Sequence, residues 1–178
     1  MAKEQRKLSR KVKKSNGWLK QKYKVQKVHK KISNARNDFL HKCSTNLCKN
    51  HALIVLEDLK VRNMSSSAKG SIEEPGKNVA AKSGLNKSIL DQGWYEFRRM
   101  LEYKQEWTGG QLITIPPQYT SQKCSKCGHT EKENRVTQSD FKCKKCSFNI
   151  NADINAASNI LAAGRAVLAS GDISSVAS

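Results

Sequence analysis

Apolar residues recur at three- and four-residue steps between Val25 and Leu47, which is the spacing of one face of an α-helix. A turn signal at Asn16-Gly17 precedes this stretch, and the pattern predicts a long helix with one buried face. The apolar positions are Val25, Val28, Ile32, Ala35, Phe39, Cys43 and Leu47. The lysines that fall off this line are Lys24, Lys27, Lys31 and Lys42. The helix therefore presents a basic face, which either contacts phosphate groups or is simply solvated.

The hydrophobic period changes after this helix. Residues 52–56 are continuously apolar and rich in β-branched side chains, which predicts a short strand buried on both faces of a sheet. The strand ends at Glu57-Asp58. Residues 65–84 are rich in serine, glycine and lysine, so they predict a loop.

A second helix is predicted from about residue 85 to residue 107, and Gly109-Gly110 ends it. Burial statistics favour core packing for its aromatic side chains over stacking on nucleobases. Residues 111–117, QLITIPP, predict another strand. A closing helix is predicted at about residues 152–169, followed by an unstructured tail. Strands that alternate with helices indicate an α/β fold.

The charge of the chain narrows the choice of partner. Its 178 residues carry a formal net charge of +18, which favours a polyanion such as nucleic acid. No apolar run is long enough to span a bilayer, and the first ten residues contain no hydrophobic signal segment. We therefore expect a cytoplasmic protein with no membrane partner, in which the six cysteines bind metal or remain free thiols.

Four of those cysteines form the most specific motif in the chain. Two C-x2-C pairs are separated by 15 residues, the spacing of a four-thiolate zinc site. The expected ligands are Cys124, Cys127, Cys143 and Cys146. Because four protein ligands leave no open position, this Zn²⁺ is expected to be structural. His129 is not required as a ligand, and the C-x4-C pair of Cys43 and Cys48 is a weak metal motif.

Two carboxylates are candidates for a second metal site. Glu57 ends the first predicted strand, and its side chain alternates to the opposite face from that of Asp58. Asp153 shares a helical face with apolar residues, so we expect it to point towards the core. These residues are Ala157, Ile160, Leu161, Gly164 and Leu168. Glu57 and Asp153 could converge on Mg²⁺, as in two-metal nucleases, or could belong to a structural ion pair.

Four ordered motifs resemble the C-terminal half of TnpB-type transposon-encoded proteins: IVLEDLKVRNM, LNKSILDQGW, YTSQKCSKCG and NADINAASNIL. That family consists of RNA-guided DNA endonucleases. The resemblance implies a RuvC-like nuclease domain of RNase H fold with an inserted zinc ribbon, and it implies DNA and a guide RNA as partners. It also implies that Glu57 and Asp153 are the second and third carboxylates of a Mg²⁺-dependent active site, and that the four cysteines hold zinc.

The chain departs from the family pattern in two places. Ser147 stands where a glycine is expected after the second C-x2-C pair. No segment resembles the strand that carries the first catalytic aspartate, so we expect a partial RuvC-like domain that lacks its first strands. An N-terminally truncated product would need the missing half in trans, or would act as a non-catalytic zinc-ribbon protein that binds nucleic acid. The basic helical arm and the nuclease part are expected at residues 1–118, and the zinc ribbon at residues 119–150. The last nuclease helix is expected at residues 151–170, and the tail at residues 171–178.

Overall fold

The computed structural model describes residues 1–171, so residues 172–178 of the predicted tail lie outside the described residues. The chain divides into two compact units, Met1–Leu47 and Cys48–Ser178. The elements in chain order are α1 (Ala2–Ser9), α2 (Asn16–Asn50), β1 (Leu53–Glu57), α3 (Val61–Met64), α4 (Val79–Gln92), α5 (Trp94–Thr108), β2 (Gln111–Ile115), a 3₁₀ turn (Lys132–Asn134), β3 (Asp140–Lys142), β4 (Asn149–Asn151) and α6 (Ala152–Ser170). The expected α/β class is confirmed. None of the helices in the described part of the chain is long and apolar enough to cross a bilayer.

The first unit contains most of the predicted long helix, which begins earlier than expected. Asn16 and Gly17 form its first turn, because the Ser15 hydroxyl accepts a hydrogen bond from the Trp18 amide at 3.2 Å and caps the helix. The lysines predicted on the polar face are exposed. The predicted apolar line is only partly buried, since Phe39 is 63% exposed. Leu40 is buried in its place.

Strands β1 and β2 form a two-stranded parallel sheet, with Leu53 opposite Gln111 and Glu57 opposite Ile115. Both strands lie where the sequence predicts them. Ile113 and Ile115 of β2 are buried. Every residue of β1 is partly exposed, so the expectation of a strand buried on both faces is wrong. Within residues 1–171, β1 also has a strand neighbour on one side alone, which leaves its other edge uncovered and adds to its exposure.

The predicted second helix is two helices, α4 and α5, separated by Gly93 in a left-handed conformation with φ of 70°. Helix α4 starts at Val79, inside the predicted loop. Helix α5 buries Met100 and Leu101, but Trp107 is 78% exposed. Core packing is therefore the wrong interpretation for that aromatic side chain. Gly109 ends α5 as predicted, with φ of 69°.

The last element within residues 1–171 is helix α6, which packs on β1. Asn151 caps its start, since the Asn151 Oδ1 accepts hydrogen bonds from the amides of Asp153 and Ile154 at 2.9 and 3.3 Å. Gly164 makes the close approach possible. A Cβ at that position would lie 2.4 Å from Val55 Cγ2, so a larger residue cannot occupy the contact without a shift.

Candidate metal centre and the neighbouring carboxylates

The four predicted cysteine ligands converge in the segment between β2 and α6. The Sγ atoms of Cys124 and Cys146 are 3.8 Å apart, those of Cys127 and Cys143 are 3.6 Å apart, and all four lie within 4.8 Å of one another. Zn–S bonds of about 2.3 Å in a tetrahedron require sulfurs about 3.8 Å apart, whereas a disulfide requires about 2.05 Å. The donor set therefore fits Zn²⁺. Among residues 1–171 no other group of three or more His, Cys, Asp or Glu side chains could hold an ion.

The two C-x2-C turns are closed by the same backbone hydrogen bond. The Cys124 carbonyl accepts from the Gly128 amide at 2.9 Å, and the Cys143 carbonyl accepts from the Ser147 amide at 3.0 Å. Gly128 has φ of 74° and Ser147 has φ of 57°. Ser147 thus adopts the left-handed conformation that favours glycine, at a cost of about 1 kcal/mol. The turn nevertheless closes in the same way as its counterpart.

Buried asparagines join these two turns to the rest of the second unit. Asn134 is fully buried, and its Oδ1 accepts from the Lys144 amide at 2.8 Å, directly after Cys143. Asn155 of α6 is also fully buried, and its Oδ1 accepts from the Ser125 amide at 3.0 Å, directly after Cys124. Neither asparagine is predicted as functional from the sequence, because a buried asparagine looks like a polar surface position. The repeat of Asn155 and Asn159 one helical turn apart was the available signal.

The thiols of the cluster differ in pKa. Burial opposes ionisation of Cys143, but backbone N–H groups of Cys146 and Lys145 lower the pKa of its thiol to about 6. The pKa of Cys127 is raised: the His129 amide lowers it, but burial and the neighbouring thiols Cys146 and Cys143 outweigh that amide. Five lysines around the cluster are exposed and available to phosphate groups: Lys123, Lys126, Lys142, Lys144 and Lys145.

Glu57 lies at the carboxyl end of β1, as predicted. Its Oε1 accepts a hydrogen bond from the Thr120 hydroxyl at 2.5 Å. It lines a cavity of about 610 Å³, together with Trp94 and Arg98 from α5 and Ile160 from α6.

Asp58, the neighbour of Glu57, has different partners. Its carboxylate forms ion pairs with Lys60 and Arg98, at 2.5 and 2.9 Å. The hydrogen bond from Lys60 lowers the pKa of the Asp58 carboxyl, burial opposes this, and the hydrogen bond from Arg98 adds to it. Asp58 is thus held in a structural ion pair.

Asp153 lies in the first turn of α6, with its side chain 86% exposed. The expectation that it faces the core is therefore wrong. The buried face of α6 contains Ala152, Asn155, Asn159 and Gly164. The amides of the two asparagines are hydrogen-bonded to backbone, and this allows polar residues on the buried side to displace the predicted apolar line. Arg135 lies beside Asp153, with 3.8 Å between its Nη2 and Asp153 Oδ1, and it also donates to the Gln138 carbonyl at 2.7 Å.

Two family models match the chain. A model described as "Probable transposase", of the OrfB type found in IS605, matches residues 1–68. A model of the Cas12f1-like TNB domain matches residues 94–160, which include the four cysteines. The chain is related to the TnpB/OrfB family. This relationship confirms the family resemblance that the sequence motifs indicated.

Curated relatives and a solved structure agree with this assignment. The chain is 62% identical over 173 residues to InsQ of Escherichia coli (strain K12), whose name describes an RNA-guided DNA endonuclease; the match covers 97% of this chain and 43% of InsQ. A protein of Streptomyces pristinaespiralis, named in the same way, is 39% identical, with 97% and 39% covered. A CRISPR-Cas12f ternary complex solved by cryo-EM matches with a TM-score of 0.54 and 25% identity, over 89% of this chain and 31% of that one. The chain thus spans about two fifths of these curated relatives.

Proposed function

We propose that this chain is the part of an RNA-guided DNA endonuclease that supplies two metal-binding carboxylates, Glu57 and Asp153, and a structural zinc site. One observation carries the proposal. Glu57 alternates to the same face of β1 as Val55, and α6 packs on that face through Gly164. The strand that ends in Glu57 and the helix whose first turn contains Asp153 are therefore in direct contact. This contact supports the RuvC-like arrangement that the motifs imply.

The residues of the chain suit phosphodiester cleavage. A Mg²⁺ ion held by such carboxylates would serve to activate water and to stabilise the leaving oxygen. Glu57 and Asp153 would supply oxygen ligands, which this hard cation prefers. Arg135, held beside Asp153 by the Gln138 carbonyl, would contact a phosphate oxygen of the strand that is cut. The exposed lysines of the zinc module and of α2 would bind the phosphates of DNA and of a guide RNA.

We further propose that additional strands pair with the free edge of β1. In a parallel ladder, alternate residues direct both backbone groups to the same neighbour. The Asp58 amide donates to the Ile115 carbonyl, so Leu53, Val55 and Glu57 direct their N–H and C=O groups away from β2. Another strand there would cover this edge and could bring a third carboxylate towards Glu57. A second polypeptide that carries this strand is the proposed partner in trans.

A second candidate function is a zinc-ribbon protein that binds nucleic acid without cutting it. The exposure of Asp153 and its approach to Arg135 favour this alternative, because an ion pair satisfies the carboxylate without a metal ion. Both functions predict affinity for nucleic acid that falls steeply with salt. Binding alone therefore does not distinguish them, but cleavage does.

The test is cleavage of labelled single-stranded DNA with Mg²⁺ or Mn²⁺, by the chain alone and with a polypeptide comprising the part of InsQ that the chain does not match. We expect cleavage in the mixture, and loss of cleavage with unchanged DNA binding in Glu57→Ala and in Asp153→Ala. Glu106→Ala, an exposed carboxylate of α5, is the control and should cut normally. If the chain alone and the mixture both bind DNA and neither cuts it, the non-catalytic function is correct.

A further inference from the structure

The segment from Tyr119 to Ser125 links the zinc cluster to both carboxylate-bearing elements. Its Thr120 hydroxyl donates to Glu57 Oε1 at 2.5 Å, and its Thr120 carbonyl accepts from Asn159 Nδ2 at 2.9 Å. One residue thus contacts the end of β1 through its side chain and α6 through its backbone. Thr120 lies in the motif YTSQKCSKCG, but neither the C-x2-C spacing nor the carboxylate pattern gives it a role.

Two asparagines of α6 bind the same segment around the first zinc ligand. Asn155 donates to the Lys123 carbonyl at 2.8 Å and accepts from the Ser125 amide at 3.0 Å. Asn159 also donates to the Lys123 carbonyl, at 2.6 Å. Cys124 lies between these two backbone groups, so a metal–sulfur bond at Cys124 fixes the peptide groups that the asparagines recognise.

The asparagine amides depend on the conformation of this segment. Asn155 is fully buried and Asn159 is 9% exposed, so neither can replace a lost backbone partner with bulk water. If the first cysteine turn opens, the buried amides lose their partners and the first half of α6 loses its attachment. The same opening displaces Thr120 from Glu57.

We propose that residues 119–125 transmit the occupancy of the zinc site to both carboxylates. Thr120 is the positioning residue for Glu57, and Asn155 and Asn159 are the positioning residues for the start of α6, where Asp153 lies. The consequence for DNA cleavage rests on the proposed function. The coupling between zinc and α6 does not.

Hydrogen exchange of the full chain tests the coupling. We expect removal of zinc with a chelator to speed amide exchange in residues 152–160 on the order of tenfold or more, because each lost hydrogen bond is worth a factor of several. The double variant Asn155→Ala/Asn159→Ala should show this faster exchange with zinc still bound at one ion per chain. Ser158→Ala is the matched control, since its hydroxyl donates within α6 to the Ile154 carbonyl.

Two results overturn the coupling. One is unchanged exchange in α6 after the metal has been shown to leave. The other is a zinc-loaded double variant that exchanges like the unmodified chain. Circular dichroism and exchange in α2 report whether each variant is folded, so that global unfolding is not mistaken for local release.

Mn²⁺ binding followed by electron paramagnetic resonance tests the role of Thr120. Removal of a hydrogen-bond partner of a metal ligand typically costs 10–100-fold in affinity, so we expect about that loss in Thr120→Val and recovery in Thr120→Ser. Thr108→Val is the control, because the Thr108 hydroxyl donates to the Lys104 carbonyl within α5. If Glu57→Ala weakens Mn²⁺ binding and Thr120→Val does not, the positioning role is wrong. If Glu57→Ala has no effect, the proposed metal site fails and the role of Thr120 fails with it, while hydrogen exchange still decides the coupling.

Discussion

The zinc cluster and the carboxylate pair differ in how their ligands are assembled. The four cysteines come from two short turns within residues 124–146, and all four sulfurs lie within 4.8 Å of one another. Glu57 and Asp153 come from elements that are far apart in sequence, and Asp153 is 86% exposed. A site built from local turns is complete when those turns fold. A site built from distant elements depends on every packing contact between them.

This difference makes the zinc cluster robust and the carboxylate pair sensitive. Changes at the contact between α6 and β1 should disturb the carboxylates and leave zinc in place. Changes at the cysteines should remove zinc and, if residues 119–125 act as proposed, should also disturb the carboxylates.

The largest effect is expected for Cys143→Ser. The zinc-binding free energy of structural sites is about 10–16 kcal/mol at neutral pH, and loss of one of four thiolates removes one of the four bonds that supply it. Zinc content, measured by atomic emission, should fall from one ion per chain to near zero. Cys43→Ser is the matched control and should retain zinc, because Cys43 is not part of the cluster. Retention of zinc by Cys143→Ser would contradict the four-thiolate site.

An intermediate effect is expected at the contact between α6 and β1. Gly164→Ala introduces a Cβ 2.4 Å from Val55 Cγ2, and overpacking of this kind costs about 1–3 kcal/mol. The thermal midpoint should fall while zinc content is unchanged.

Gly84→Ala is the matched control for Gly164→Ala, because no atom lies within 4 Å of the added Cβ. Its helical position predicts a gain of about 0.5–1 kcal/mol. Equal effects of the two substitutions would show that α6 does not pack closely on β1.

A smaller effect is expected from exchanging the residues that follow the two C-x2-C pairs. Ser147→Gly removes the strain of a left-handed serine and should stabilise the zinc-loaded protein by about 1 kcal/mol, measured by urea unfolding. Gly128→Ser should destabilise it by a similar amount, because Gly128 has φ of 74°. No atom lies within 4 Å of the added Cβ, so backbone strain alone is measured. A stabilising Gly128→Ser would contradict the equivalence of the two turns.

The last effect concerns pH and is confined to the zinc-free protein, where the raised pKa of Cys127 partly opposes the contribution of Cys143. The pKa of Cys143 is lowered from 9.0 to about 6, so folding favours its thiolate. This contribution to stability is fully present above pH 9 and is lost as the pH falls through about 6. The urea midpoint of the zinc-free chain should therefore rise between pH 6 and pH 9, and Cys143→Ser should reduce the slope. A urea midpoint that falls between pH 6 and pH 9 would contradict the lowered pKa of Cys143.

The parts of the molecule that sequence predicted are those set by local spacing. The C-x2-C pairs, the two strands and the long helix follow from short-range patterns, and the structure contains them. Gly93 was missed as a break because a single glycine is tolerated inside many helices. The exposure of Asp153 could not be predicted, since it depends on the amides of Asn155 and Asn159 finding backbone partners thirty or more residues away. These partners are set by the tertiary structure and not by local sequence.

The parallel pairing of β1 with β2 also constrains how the chain is made. Roughly fifty residues separate the end of β1 from the start of β2, and ribosomes add about 5–20 residues per second. For several seconds of synthesis, β1 therefore leaves the ribosome as an apolar strand without its eventual neighbour, in a form that chaperones recognise. The zinc module is synthesised later and, because its ligands are close in sequence, closes soon after it emerges. Biogenesis of this chain is thus expected to be limited by the wait of β1 for β2, a delay that added zinc does not shorten.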